Sequence, residues 1–327
     1  MATHNPRSEP DLERLLSEVA QRYYLGGETQ ESIASALGVS RMKVNRLLKQ
    51  AHEAGVVEVR IRLAASQTQD IERRMTERFG LRRVLIAPDS VEFEHQRMAV
   101  ASLVSSFLEA NLKEGSVVTV GMGRNVAAVA NASVSRILKS ATFVCATGGA
   151  SEAGETGNAD HICRKLAQSF GGTPQTLYAP AFVPDPALRA ALLENATVKR
   201  TFQIAQRADF ALVGIGDLGE NSHMVRMGWF SHKEITESRA SGVVGDLMGY
   251  DFFGIGGEPM NDLLGGRVIG LSIDQLRQIG CVIAIASEAS KVPSILGALR
   301  TGAINVLATS LSICQSLLSM DDQSTSR

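Results

Sequence analysis

The sequence predicts two domains: a short head of helices closed by a β ribbon, and a long body built on a doubly wound, mostly parallel α/β sheet. Three observations predict this. The chain has 327 residues, about twice a typical single domain. From Asp11 to Gly55 apolar residues recur at helical spacing between glycine stops. Beyond residue 80, short β-branched runs alternate with helical segments.

In the head, Leu12, Leu15, Leu16, Val19, Ala20 and Tyr23 recur at steps of three and four up to Gly26-Gly27, which predicts a first helix. Thr29 is placed to cap a second helix, with Ser32 where a capping box would carry Glu or Gln. Ile33, Ala34 and Leu37 continue the pattern to Gly38. Ser40 caps a third helix whose apolar positions are Val44, Leu47, Leu48 and Ala51. Residues 56–63 (VVEVRIRL) alternate apolar and charged, as a β wing does. Residues 1–10, with two prolines, read as a disordered arm, and residues 321–327 as a frayed tail. A segment at 64–80, amphipathic from Asp70 to Phe79, reads as a connector helix.

Within TQESIASALGVSRMKVNRLL, Ala34 sits where two helices cross, Gly38 permits a tight turn, and Val44 pins the third helix on the second. These are the requirements of a helix-turn-helix, and with the wing they define a winged helix-turn-helix domain over residues 11–63. The chain has a net charge of -1, yet Arg41, Lys43, Arg46 and Lys49 face no acidic residue between Ser40 and Gln50. The third helix thus offers Ser40, Arg41, Met42, Lys43, Asn45, Arg46 and Lys49, joined by Thr29 and Gln30 of the second, to double-stranded DNA. Arg41, Asn45 and Arg46 are the expected base readers. The bland alternative is a packing module with a solvated basic face.

In the body (residues 81–320), strands are expected at Arg83–Ala87, Val117–Val120, Ala141–Ala146, Phe210–Gly214, Val268–Leu271, Cys281–Ala286 and Ile304–Leu307. Three glycine-bearing loops follow strand ends. They present Gly121, Gly123, Arg124 and Asn125; Thr147, Gly148 and Gly149; and Gly214, Gly216 and Asp217. Glycines at the carboxyl ends of strands let backbone N–H groups approach a hydroxylated or anionic ligand, although each loop alone is equally well a turn requirement. None has the spacing of a dinucleotide or nucleoside triphosphate site. Lys291 opens a helical segment where an ammonium reaches a ligand or is simply a solvated charge at the helix start. Asp217–Lys233, with His223, Trp229, Phe230 and His232, reads either as a lid or as a packing plug.

Composition narrows the function. With 44% hydrophobic and 20% charged residues the chain is neither disordered nor a membrane protein. No apolar run reaches the roughly 18 residues of a spanning helix, and MATHNPRSEPDLER has no signal-peptide core, so a cytoplasmic location is expected. Cys145, Cys163, Cys281 and Cys314 are far apart in sequence and read as inert core thiols. No metal-ligand cluster, Ser/His/Asp spacing or cofactor motif appears, so neither metal nor cofactor nor catalysis is expected.

With both halves in view, the chain resembles the SorC family (SorC/DeoR type) of sugar-responsive regulators over nearly its whole length. YYLGGETQESIASALGVSRMKVNRLLKQAHEAGVVEVRI is similar to the family's opening. VGMGRN resembles its first glycine loop, ALVGIGD its GIG loop, GVVGDLMGYDFF its VGD segment, which brings in Asp246, and KVPSILGALRTGAINVLATS its closing lysine-helix-strand element. The resemblance implies a Rossmann-like, sugar-isomerase-type fold without isomerase activity, a sugar, polyol or sugar phosphate as effector, and a homodimer or homotetramer on operator DNA. Two positions depart from it: Ser287-Glu288 stands where the family has Gly-Gly, and Thr309-Ser310 where it has Thr-Asp.

The leading expectation is therefore a carbohydrate-responsive transcriptional regulator. A sugar-phosphate isomerase or deaminase with an accessory helical domain is the alternative, for which Asp217 or Asp246 would supply the base. An architectural DNA-binding protein indifferent to carbohydrates is a third. Because Glu288 lies beside Lys291, an unphosphorylated effector is favoured over a phosphate.

Overall fold

The computed structural model describes residues 9–57, 65–133, 140–150, 157–219, 222–249, 251–260 and 266–325. The chain forms two compact units that divide between Ile61 and Arg62.

In the first unit, α1 (Glu9–Ala20) runs into a π-helical turn (Gln21–Leu25), followed by α2 (Gln30–Leu37) and α3 (Arg41–Glu53). Thr29 is extended, and its hydroxyl accepts the Ser32 N–H at 3.1 Å to start α2. Gly38 ends α2 in the left-handed region (φ 63), which frees Val39 to donate back to the Ala34 carbonyl at 3.0 Å. Ser40 starts α3 by accepting the Lys43 N–H at 3.3 Å. Leu16, Val19, Ile33, Ala34, Val44, Leu47, Leu48 and Ala51 form one buried core, so Ala34 and Val44 occupy the crossing and plug positions their sequence spacing requires. Val56 and Val57 pack on its edge. The wing expected over 56–63 falls, from residue 58 on, outside the described residues.

The second unit opens with α4 (Ala65–Phe79) and β1 (Arg83–Ala87) and continues α5 (Phe93–Asn111), β2 (Val117–Val120), α6 (Arg124–Ala132), β3 (Thr142–Cys145), α7 (Ala159–Phe170) and β4 (Thr173–Gln175). Then come α8 (Pro186–Glu194), α9 (Ala196–Gln206), β5 (Phe210–Asp217), α10 (His223–Arg226), α11 (His232–Ala240), β6 (Val243–Leu247) and β7 (Asp251–Gly254). The chain closes with α12 (Ile273–Leu276), β8 (Cys281–Ile285), α13 (Val292–Arg300), β9 (Val306–Ser310) and α14 (Leu311–Thr325). The parallel sheet has the order β1-β9-β8-β5-β2-β3-β4. From β2 the chain steps outward through β3 and β4, and from β5 in the other direction through β8 and β9. The switch point of the double winding therefore lies between β2 and β5, where such sheets open a ligand crevice. Past Gly214, β5 leaves the parallel ladder and pairs antiparallel with β6, which carries β7 on its far side.

The structure corrects three expectations. The segment at 64–80 is no free connector: Met75 of α4 is fully buried in the α/β core, and Arg78 pairs with Asp321. The tail after residue 320 is helical to Thr325, because buried Asp321 also pairs with Arg300 at 2.5 Å. Residues 268–271 form only single bridges, Val268 to Phe182 and Gly270 to Thr147. Cys145 and Cys163 are buried free thiols, as expected of core cysteines, and although distant in sequence they meet with their Sγ atoms 3.5 Å apart.

Of the two readings of 217–233, packing prevails at its aromatic end. Trp229 and Phe230 are buried around Phe182, with ring centroids 6.1 and 5.9 Å away, and Arg267 lies 4.8 Å above the Phe230 ring. Among the described residues, no helix is long and apolar enough to cross a membrane.

Candidate effector crevice and DNA-reading surface

The carboxyl ends of β2, β5 and β8 carry the polar cluster. Gly123, at φ 106, turns the chain from β2 into α6 and sets Asn125 on the first turn, buried. Beyond β8, Ser287 and Glu288 lead into a 3-10 turn (Ala289–Lys291) and then α13. The side chains interlock. Ser287 Oγ donates to Asn125 Oδ1 at 2.7 Å, and Asn125 Nδ2 donates to Glu288 Oε2 at 2.9 Å. The Ser287 N–H donates to the same oxygen at 3.3 Å, and Lys291 Nζ lies 3.4 Å from it. Arg97 of α5, itself buried, sets Nη2 3.5 Å from Glu288 Oε1. Lys291 also donates to the Ile215 carbonyl at 2.8 Å, tying the α13 entry to β5. Burial alone would push the Glu288 carboxyl up. The Lys291 charge, the Asn125 hydrogen bond and Arg97 outweigh it and hold the group down at about 2, fully ionised.

Asp246 shows the opposite balance. It stands on β6 opposite Gly216 and is buried, with the Gly249 N–H bonded to Oδ1 while Oδ2 has no partner among the described residues. A side chain at Gly216 would collide with this carboxylate, so the glycine makes room for it. Burial pushes the Asp246 carboxyl up to about 7, against the Gly249 hydrogen bond and the Lys291 charge. Asp217, at the end of β5, is half-exposed and accepts the Gly219 N–H at 3.2 Å.

The glycine loops behave differently from the expectation that their N–H groups would greet a ligand. Gly121 donates to the Leu212 carbonyl at 2.8 Å and Gly123 to Gly157 at 3.1 Å. Gly148 donates to Ile269 and Gly149 to Ala179, both at 2.9 Å, while the Thr147 hydroxyl donates to Ile269 at 3.1 Å. A Cβ at Gly148 would sit 2.5 Å from the Pro180 carbonyl, so that glycine serves close backbone packing. Gly214 accepts from Met248 at 3.2 Å. With these glycine N–H groups bonded to backbone carbonyls, the polar chemistry at these strand ends falls to side chains. The structure thus brings together Asn125, Glu288, Lys291 and, through Gly216, Asp246. Thr147, Gly148 and Gly149 belong to a separate backbone network, and Arg124 is exposed. Arg97 was missed because FEHQRM reads as an ordinary helix start; no local signal marks a buried arginine there.

In the first unit, Arg41, Met42, Asn45, Arg46 and Lys49 are exposed along α3, with Lys43 half-buried. Tyr23, Tyr24, Gln30, Asn45, Lys49 and His52 line an open groove of about 800 Å³ beside that helix. The Tyr24 hydroxyl and His52 Nε2 are 2.8 Å apart on its wall. The two tyrosines and His52 line the groove and were passed over by the charge-based reading, which used Tyr23 for the helix periodicity and the YY pair only within the run that resembles the family's opening. Among the described residues, no group of three or more His, Cys, Asp or Glu side chains is placed to hold a metal ion.

Comparisons with known proteins agree with this architecture. The family described as "Putative sugar-binding domain" matches residues 64–319. The erythritol catabolism regulatory protein EryD of Brucella abortus is 27% identical over 90% of this chain and 93% of its own. A crystal structure described as "Putative Sugar-Binding Domain of Transcriptional Repressor" from Vibrio fischeri is 51% identical over 77% of this chain and 99% of that one, with a TM-score of 0.73. The full-length sorbitol operon regulator SorC of Klebsiella pneumoniae, 24% identical, shares the fold over 96% of this chain and all of its own with a TM-score of 0.74. The chain belongs to the sugar-binding domain family of SorC-type transcriptional regulators.

Proposed function

We propose that this chain is a cytoplasmic, carbohydrate-responsive regulator whose winged helix-turn-helix head binds operator DNA and whose α/β body binds a sugar, polyol or sugar phosphate that alters that binding. The convergence of Asn125, Asp246, Glu288 and Lys291 on the carboxyl ends of β2, β5 and β8, at the switch point of the sheet, carries the effector half. An amide, an ammonium and carboxylates are the groups that orient hydroxyls. In the head, Arg41, Asn45 and Arg46 read base edges, while Ser40, Lys43, Lys49, Thr29 and Gln30 contact phosphates and fix the register. One short helix buries too little surface for tight specific binding, so a homodimer or homotetramer on two half-sites follows.

The test is selection of a DNA site by the full chain, then footprinting against sugars, polyols and their phosphates. At least one is expected to change operator affinity; indifference to all would overturn the effector half. Asp246, with its carboxyl near 7, lies in the range of a general base and favours the enzyme reading on that point alone. Aldose and ketose phosphates incubated with the protein are expected to remain unchanged, and turnover of any of them would make the body an isomerase.

A further inference from the structure

Resting on the reading of the crevice as the effector site, we propose that Glu288 is a built-in counterion that fills the crevice's anion position, so that the site selects an unphosphorylated polyol or sugar over its phosphate. Donors from three elements converge on this one carboxylate: the Arg97 guanidinium from α5, the Asn125 amide from α6, and the Ser287 N–H and Lys291 ammonium from the β8–α13 junction. A guanidinium, an ammonium, an amide and a backbone N–H around one centre are the donor set of an oxyanion site. Here the oxyanion is part of the chain. Both of its oxygens are engaged, and the side chain is only 13% exposed.

The cations that would greet a ligand phosphate are already committed. Arg97 is shared between Glu288 and Glu94, and Lys291 between Glu288 and the Ile215 carbonyl. Buried Arg97 and half-buried Lys291 thus face Glu288, and Arg97 the exposed Glu94 as well, so a phosphate entering among them would add charge of the repelling sign at close range. A neutral hydroxyl has the opposite relation to the cluster. The 3.4 and 3.5 Å separations of Lys291 and Arg97 from the carboxylate are long for charged hydrogen bonds. A hydroxyl placed there accepts from the cation and donates to Glu288. The Arg97 Nε, buried with no partner among the described residues, is a further donor for it.

The experiment uses the full chain, its Glu288→Gln and Glu288→Ala variants, and inorganic phosphate as the probe, titrated calorimetrically. Wild type is expected to bind phosphate at least about tenfold more weakly than either variant, and Lys291→Met in the Glu288→Ala background to lose the gain. A second set of titrations takes matched pairs, each four- to six-carbon polyol or sugar against its monophosphate. The wild-type preference for the unphosphorylated member is expected to shrink or invert in the variants. Equal phosphate binding by wild type and a folded Glu288→Gln protein, or tighter binding of the phosphorylated members by wild type, would overturn the proposal. If Glu288→Ala fails to fold, the near-isosteric Gln variant decides alone. An operator complex indifferent to every carbohydrate would instead sink the effector reading, while the phosphate titration still decides whether Glu288 fills an anion site.

Discussion

The α3 surface and the effector crevice hold similar residue types in opposite states. On α3, Arg41, Asn45 and Arg46 extend into solvent. In the crevice an arginine, an asparagine and a lysine are buried or nearly so and locked onto one carboxylate. An exposed cation loses little when its neighbour changes, because water replaces the partner. A buried member of a network leaves its partners unpaired when it goes, so its effect is set by geometry. The proposed function uses this difference: an exposed basic face suits a large polyanion whose position varies, and a locked polar cluster suits a small molecule whose hydroxyls do not.

The largest effect expected from this contrast is at the head. Asn45→Ala combined with Arg46→Ala removes two of the proposed base readers, each worth about 1–3 kcal/mol of discrimination, so the ratio of specific to non-specific binding falls about thirtyfold or more. Effector affinity stays within twofold, because the crevice residues belong to the other unit. Competition binding at fixed salt measures the first and calorimetry the second. Lys43→Ala, by contrast, weakens all DNA equally and lowers the salt slope by about one. Retained sequence preference in the double variant would remove α3 from the role of reader.

The crevice sharpens the contrast through its two carboxylates, whose pH trends run in opposite directions. The Asp246 carboxyl sits near 7, above its ordinary 3.8, so the folded chain holds that proton more tightly than the unfolded one. This stabilisation is present at low pH and fades as pH rises from about 4 through 7. Asp246→Asn should therefore gain melting temperature relative to wild type between pH 4 and 8, by a free energy on the order of a few kcal/mol. Glu288, held near 2 against an ordinary 4.5, stabilises the fold above about 4.5 and loses that as pH falls toward 2. The deficit of Glu288→Gln relative to wild type should be largest at neutral pH and close in acid. Thermal melts across pH 3 to 8 check both, and parallel trends for the two variants would contradict the charge states assigned to the crevice.

Local patterns made the head and the sheet legible in the sequence. The capping roles of Thr29 and Ser40 and the turn at Gly38 follow from neighbours within four residues, and β1, β2, β3, β8 and most of β5 from β-branched runs. The β6–β7 hairpin was harder to read because Gly245, Asp246 and Gly249 break its pattern. Those residues serve the site, with Gly249 feeding the Asp246 carboxylate. The glycine loops were placed correctly along the chain, but which of the two open roles each glycine has could not be read from it: a glycine required by a nearby carbonyl, as at Gly148, has the same letter as one that admits a ligand. Arg97 and the meeting of Cys145 with Cys163 depend on packing between elements distant in sequence, which no local spacing encodes.

The smallest effect separates two roles that coincide at one head residue. Ser40 is extended, and its hydroxyl accepts the Lys43 N–H at 3.3 Å as the cap of α3, yet it also lines the groove beside that helix. Ser40→Ala leaves that N–H to water, because the helix start is exposed, so the cost falls at the lower end of the range for a cap, about 0.5–1 kcal/mol. Ser40→Asp keeps a capping oxygen and adds a charge favourable to the helix dipole, so stability returns to wild type or better. The same charge would face DNA phosphate beside Arg41 and should lower operator affinity about tenfold, more at low salt than at high. If the hydroxyl only caps, Ala destabilises the head while operator affinity in the folded protein is unchanged, and Asp reverses both outcomes. If the hydroxyl contacts phosphate directly, Ala also weakens binding at temperatures far below the melt. Denaturation followed by circular dichroism, paired with operator titration at two salt concentrations, distinguishes these cases.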